Sequence, residues 1–254
     1  LSRRLPARIV VNSRAGRDVH RALGYDAGRL EVIPNGFDTE RFCPSPAARL
    51  ALRQELGVPG STPLIGMAAR WDPLKDFETV LAAAAVLMQR QPDLHVVLCG
   101  AGVDRDNTAL TELADETGCG ERLHLMGRRT DMPGWQAALD VALLASHTEG
   151  FPNTVGEAMA CGVPCVVTDA GGSAELLGSA GRIVPVGDSS GFSAGVEELL
   201  QMPVLQRRRI GALGRQRIIG NFSLGRMVER FERVWDEVLD VAPLENRFTS
   251  SQAA

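Results

Sequence analysis

The stretch HTEGFPNTVGEAMACGVPCVVTD, residues 147–169, decides how the rest of the chain is read. An apolar run, VALLAS (141–146), leads into it, and a second, PCVVTD (164–169), closes it. Between them Gly150 and Pro152 set a tight turn, and residues 154–161 have helical character. Strand, turn, helix and strand make the repeating unit of a parallel sheet, because only a crossover returns the next strand in the same direction. Asn153 or Thr154 stands where an N-cap belongs. A helix beginning there aims free N–H groups beyond the strand end, which is a ready anion site.

The same alternation extends in both directions. Short apolar runs occur at 8–12, 30–33, 63–69, 94–99, 122–127 and 181–186. They are continuous rather than alternating, as expected of strands covered on both faces. Helices are predicted at 14–23, 76–91, 104–117, 133–139, 154–161, 172–178 and 189–201, with two more at 203–219 and 223–241. Ser223 is the candidate N-cap of the last one. The expected fold class is therefore α/β, a Rossmann-like doubly wound parallel sheet, with ligands beyond the carboxyl ends of the strands. Segment 34–47, PNGFDTERFCPSPA, reads as a loop or linker, and the polar end, 245–254, as frayed.

Composition narrows the function classes. Of 254 residues, 44% are apolar and 23% charged, which fits a globular chain; the net charge of −4 offers no basic field for nucleic acid. No apolar run approaches the roughly 18 residues that span a bilayer. The first residues lack the apolar core of a signal peptide. Five cysteines without metal-type spacing fit a reducing, cytoplasmic compartment. No metal site is expected.

Four charged residues stand out. Arg70 and Lys75 project from the loop after 63–69, where Asp76 is the candidate cap of the next helix. A diphosphate across the crevice would be within reach of both; taken alone, they are equally a pair of solvated cations. Glu149 and Glu157 flank the turn at 150–153 with Glu-x7-Glu spacing. Glu157 closes a Thr-x-x-Glu capping box from Thr154, and spacing alone favours that cap. Glu149 reads either as a contact to ligand hydroxyls or as a solvated carboxylate.

Other signals are weaker. Gly100-Ala101-Gly102 begins a dinucleotide fingerprint, but Arg105 stands where its last glycine belongs. Asp104-Arg105-Asp106 has the look of a metal-binding Asp-x-Asp, and equally of acids in a first helical turn. His95 and His124 lie in apolar strands and read as core, whereas His147, beside Glu149, could face the cleft. Arg207, Arg208 and Arg209 read as a solvated helix face.

Together, VIPNGFDTERF (32–42), ARWDPLKDF (69–77) and EGFPNTVGEAMACGVPCVVTDAGG (149–172) resemble the carboxyl-terminal half of the family 4, group 1 glycosyltransferases of GT-B fold, over about residues 8–240. The resemblance implies one half of a two-domain architecture. Residues 1–29 would be a remnant of the preceding amino-terminal domain plus linker. Residues 30–222 would be a Rossmann-like nucleotide-sugar-binding domain, and 223–254 a crossing helix and tail. It implies a retaining transferase using a nucleotide-diphosphate sugar of UDP or GDP type, with no further cofactor and no metal. Its acceptor would belong to the absent amino-terminal domain, so the fragment would not turn over alone. Peripheral contact of the parent enzyme with the inner face of the cell membrane is compatible with it. The roles it implies are specific. Arg70 and Lys75 would hold the diphosphate, and Glu149 would lie near the transferred sugar. Phe151, Pro152 and Asn153 would touch sugar and phosphate through backbone, and Thr154 and Val155 would offer helix-start N–H groups. Glu157 would take the ribose hydroxyls, and Gly127 and Arg128 would contact the base. A GT-B epimerase or sugar phosphorylase, and a non-catalytic nucleotide-sugar module, are the alternative readings.

Overall fold

The structure is a computed structural model and describes residues 5–239. It opens with β1 (Ile9–Val11), α1 (Arg14–Ala22) and β2 (Leu30–Val32). These strands pair in parallel as a small sheet of their own, so the expected division at 29/30 falls between paired strands. A helix that the sequence reading had not anticipated follows, α2 (Pro46–Glu55). Ser45 caps it by accepting the Ala48 N–H, and Pro46 occupies its first turn. The prolines that suggested a linker thus end in a helix start, where a proline without an N–H costs nothing.

The remaining strands are β3 (Leu64–Ala68), β4 (His95–Cys99), β5 (Leu123–Leu125), β6 (Val141–Leu144), β7 (Cys165–Thr168) and β8 (Gly181–Val184). They form one six-stranded sheet in the order β5-β4-β3-β6-β7-β8, parallel throughout. Every residue of β3, β6 and β7 is buried. That explains the continuous apolar runs, since both faces of these strands are covered. Full burial of each aliphatic side chain contributes about 1.5–3 kcal/mol relative to exposure.

The helices are α3 (Phe77–Arg90), α4 (Thr108–Thr117), α5 (Met132–Ala138), α6 (Asn153–Ala160), α7 (Ser173–Leu177), α8 (Ser189–Gln201), α9 (Val204–Asn221) and α10 (Leu224–Leu239). One packed group contains α3, α4 and α8; the other contains α2, α5, α6, α7 and α9. The chain leaves β3 toward β4 and β5 on one side, then returns through β6 to β7 and β8 on the other. The strand order reverses between β3 and β6, and a crevice must open at their carboxyl ends.

Several local expectations shift. α4 begins at Thr108 rather than 104, with Asn107 as its cap, so Asp104 and Asp106 precede the helix. Asp104 instead accepts the Asp106 N–H in a turn. Arg207 is not a solvated residue: it donates to the Leu199 and Leu200 carbonyls and pairs with Asp140, while Arg208 and Arg209 are exposed as expected. His95 and His124 are only half-buried, their rings stacked with centroids 5.1 Å apart and Nδ1 to Nε2 at 2.8 Å. Ser223 precedes α10 and accepts the Met227 N–H through its carbonyl. It also bridges to Phe37, which ties the last helix to the loop after β2. The expected frayed tail and the end of the last predicted helix lie outside the described residues.

Candidate functional site at the sheet switch point

Two loops meet where the strand order reverses. The first leaves β3. Asp72 accepts the Leu74 N–H and the Arg70 Nε–H, each at 2.9 Å, and a 3-10 turn covers Pro73–Lys75. Asp76 then adopts φ 44°, an uncommon left-handed backbone for a non-glycine residue, and caps α3 by accepting the Thr79 N–H at 3.1 Å. Lys75 is held between these two carboxylate caps. The second loop leaves β6. Its His147 N–H donates to the Leu74 carbonyl at 2.9 Å, which stitches the loops together.

That stitch brings Lys75 Nζ onto Glu149 Oε1, with both side chains at least four-fifths buried. The Ser146 hydroxyl donates to the same Glu149 oxygen at 2.7 Å, and Thr168 Oγ1 donates to the Ser146 carbonyl at 2.6 Å. Ser146 and Thr168 are fully buried, so Glu149 is oriented by rigid strand ends of β6 and β7. The loop after β7 presses from the far side. A Cβ on Gly171, at φ 55°, would lie 1.5 Å from the Glu149 carbonyl oxygen, so only glycine fits there. Sequence reading had passed over Ser146, Thr168 and Gly171. The Gly171-Gly172 pair after an apolar run was the available signal.

The α6 start departs from expectation in a useful way. Pro152, not Asn153 or Thr154, is the N-cap residue, and it offers no side-chain cap. The Val155 and Gly156 N–H groups donate to the Pro152 carbonyl at 3.2 and 3.3 Å. The amides without a partner among the described residues are those of Asn153 and Thr154, one residue earlier than the expected Thr154 and Val155. Asn153 Oδ1 accepts from Asn35 Nδ2 at 2.7 Å. Phe151 is buried between Phe37 and Phe222, with centroids 6.3 and 5.7 Å away. A Cβ on Gly156 would sit 2.0 Å from the Phe37 ring. The aromatic cluster thereby sets the height of the helix start.

Glu157 lies one turn into α6. With Pro152 as the N-cap residue, no capping box from Thr154 exists. Its carboxylate has no hydrogen-bond partner among the described residues, and burial pushes its pKa up to about 7, opposed weakly by Arg41. Of the other expected contacts, Arg70 is exposed and, among the described residues, paired only with Asp72. Gly127 donates its N–H to Val103 at 2.7 Å and accepts from Gly100 at 2.8 Å, so the backbone expected to touch a base is partly occupied. Arg128 is exposed. His147 is half-exposed, with Nδ1 3.8 Å from an Asp76 oxygen that is itself buried without a hydrogen bond. Among the described residues no group of three or more His, Cys, Asp or Glu could hold a metal ion, and no helix is long and apolar enough to cross a membrane.

Comparison with known proteins agrees with this architecture. The inositol 3-phosphate glycosyltransferase of Salinispora tropica is 33% identical, over 91% of this chain and 51% of its own length. A GDP-mannose-dependent phosphatidylinositol monomannoside mannosyltransferase of Corynebacterium glutamicum is 31% identical, over 81% of this chain and 55% of its own. The chain spans about half the length of these curated relatives. Anabaena HepE in complex with UDP and glucose superimposes with a TM-score of 0.85 at 26% identity, covering 93% of this chain and 65% of that one. The carboxyl-terminal domain of a group 1 glycosyl transferase from Francisella tularensis covers 74% of this chain and is itself covered completely, with a TM-score of 0.65 at 26% identity. The family model described as glycosyl transferases group 1 matches residues 62–202, more than half the chain. By this match over more than half its length, and by its similarity to these relatives, this chain belongs to the group 1 glycosyltransferases.

Proposed function

We propose that the chain is the donor-binding half of a retaining glycosyltransferase of family 4. It would move a sugar from a nucleotide-diphosphate sugar to an acceptor hydroxyl bound by an adjoining domain. The observation that carries this reading is the Lys75–Glu149 pair, locked by Ser146 beside the open amides of Asn153 and Thr154. Cation, carboxylate and helix start all lie on the loops that follow β3 and β6, at the strand ends where a doubly wound sheet binds its ligands. HepE, similar in fold and sequence, has been solved with UDP and with UDP-glucose, and the Corynebacterium relative is named for GDP-mannose. Both support a pyrimidine or purine nucleoside diphosphate as the leaving group.

The chemical difficulty is the negative charge that builds on the departing diphosphate. Lys75, Arg70 and the α6 amides present fixed positive ends to it. Preorganised donors of this type commonly contribute about 3–4 kcal/mol each to the transition state. No metal ion is required in this scheme. Glu149 is held too rigidly by Ser146 and Lys75 to swing as a nucleophile; it orients the donor sugar and supports positive charge developing at the ring. Glu157, half-buried and without a hydrogen-bond partner among the described residues, accepts the ribose hydroxyls, and their hydrogen bonds favour its ionised form. Its five free cysteines suit a cytoplasmic enzyme.

Calorimetric titration with UDP, GDP and their sugar conjugates tests the assignment. Lys75→Ala and Arg70→Ala should each weaken binding about tenfold or more, the loss of one charge-assisted contact. Unchanged affinity in both variants would remove the diphosphate site. In the full-length protein, NMR of the product's anomeric configuration tests retention.

A further inference from the structure

A cavity of about 690 Å³ lies at the other edge of the sheet, away from the Lys75–Glu149 crevice. Pro63, Asp140 and Pro164, which immediately precede β3, β6 and β7, line it, so it opens at the amino ends of the strands. Its walls are mostly apolar, including Leu139, Val163 and Met202. Its charged groups are Arg49, Arg207, Arg208 and Arg215 against a single carboxylate, Asp140.

Asp140 is already shared. It pairs with Arg49 at 2.9 Å, Arg207 at 3.5 Å and, behind the wall, Arg53 at 2.8 Å. Arg53 is almost fully buried, and burial with the neighbouring Arg49 charge lowers its pKa to about 10. Arg215 donates to the Phe42, Ala160 and Thr39 carbonyls. Arg208 is exposed and has no hydrogen bond or ion pair among the described residues. The carbonyl ends of α5, α6 and α8 also reach these arginines; at about half a charge per helix end, the four lining arginines and one carboxylate leave a cationic surplus of about 1.5 charges. That surplus sits in a chain whose net charge is −4.

We propose that this cavity binds a small phosphorylated ligand with an apolar body, the phosphate held by Arg208 with Arg49 and Arg207. Guanidinium forks match phosphate oxygens in pairs, and the apolar walls take the remainder of the molecule. Nothing in this proposal depends on the donor crevice.

The probe is 1-naphthyl phosphate, titrated calorimetrically into the whole chain, with inorganic phosphate and 1-naphthol as its two separated halves. The proposal expects saturable binding, tighter than for either half alone. Arg208→Glu should weaken it at least about tenfold, the loss of a charge-assisted contact and its replacement by repulsion. Arg209→Glu makes the same charge change at a residue that does not line the cavity, so it removes no direct contact and should leave binding within about twofold. Lys75→Ala should leave it unchanged. Absence of saturable binding, equal effects at Arg208 and Arg209, or loss of binding with Lys75→Ala would each overturn the proposal.

Discussion

The two edges of the six-stranded sheet treat the same helix dipoles in opposite ways. At the amino edge, where helices end, arginines meet the free carbonyls. Arg122 donates to Met88 and Gln91 after α3, and Arg49 and Arg53 to Ala138 of α5. Arg215 reaches Ala160 of α6, Arg217 reaches Glu175 and Leu176 of α7, and Arg207 reaches Leu199 and Leu200 of α8. At the carboxyl edge, where helices begin, the treatment is uneven. Asp76 and Asn107 cap α3 and α4, whereas α6 and α7 begin with no side-chain cap. An unsatisfied helix end costs stability and attracts charge of the opposite sign. Arginines thus meet the carbonyl ends of five helices, α3, α5, α6, α7 and α8, while the starts of α6 and α7 have no side-chain cap among the described residues. The shared Asp140 network lies at the amino edge, and the proposed donor site lies at the carboxyl edge.

The largest test of that division is Asp140→Ala. It removes the one carboxylate shared by Arg49, Arg53 and Arg207 and also the acceptor of the Leu64 N–H at 3.0 Å. Breaking a buried ion pair from one side typically costs about 3–5 kcal/mol. Urea unfolding should register a loss of that order; a loss below about 1 kcal/mol would mean that the shared Asp140 network contributes little to stability.

Next in size is the pH dependence contributed by Glu157. Its folded pKa, about 7, lies above the ordinary carboxylate value, so the folded state holds the proton more tightly than the unfolded one. Stability from this group is fully present below the unfolded value and is lost as pH rises from about 4.5 to 7. Glu157→Gln should flatten that part of the profile and make the ligand-free protein about 2 kcal/mol more stable at pH 8. It should also weaken nucleotide binding, because the ribose hydroxyls lose a charged acceptor. A profile identical to that of the unsubstituted chain would place the carboxylate in water.

The smallest effect on folding is expected from Arg70→Ala. Its side chain is 65% exposed and, among the described residues, pairs only with Asp72. The thermal midpoint should stay where it is while UDP affinity falls. A drop in both would blur the contrast between the two edges.

Much of this was legible in the residues. Eight apolar runs match the eight strands among the described residues, most clearly β3, β6 and β7, because a strand covered on both faces has no polar side to hide its signal. The cap of α3 is written locally in Asp76. The helix α2 was hidden because Pro44 and Pro46 signal a loop as strongly as a helix start, and only its packing on α5 distinguishes them. The capping box at Thr154 was a false local signal: the Phe37–Phe151–Phe222 cluster draws the turn in, so the helix begins one residue earlier. Arg207 looked solvated because its partner, Asp140, is 67 residues away.

What the sequence alone determined is the alternation of strand and helix, the burial of the sheet and the types of residue at each strand end. These depend on hydrophobic period and backbone preference, which act over a few residues. Only the tertiary structure decided which strand ends are neighbours. The reversal of strand order between β3 and β6 sets Lys75 against Glu149 across 74 residues of chain, and the same packing chooses which helix amides stay open. Charge pairing and desolvation depend on distance in space, and the folded chain alone sets those distances.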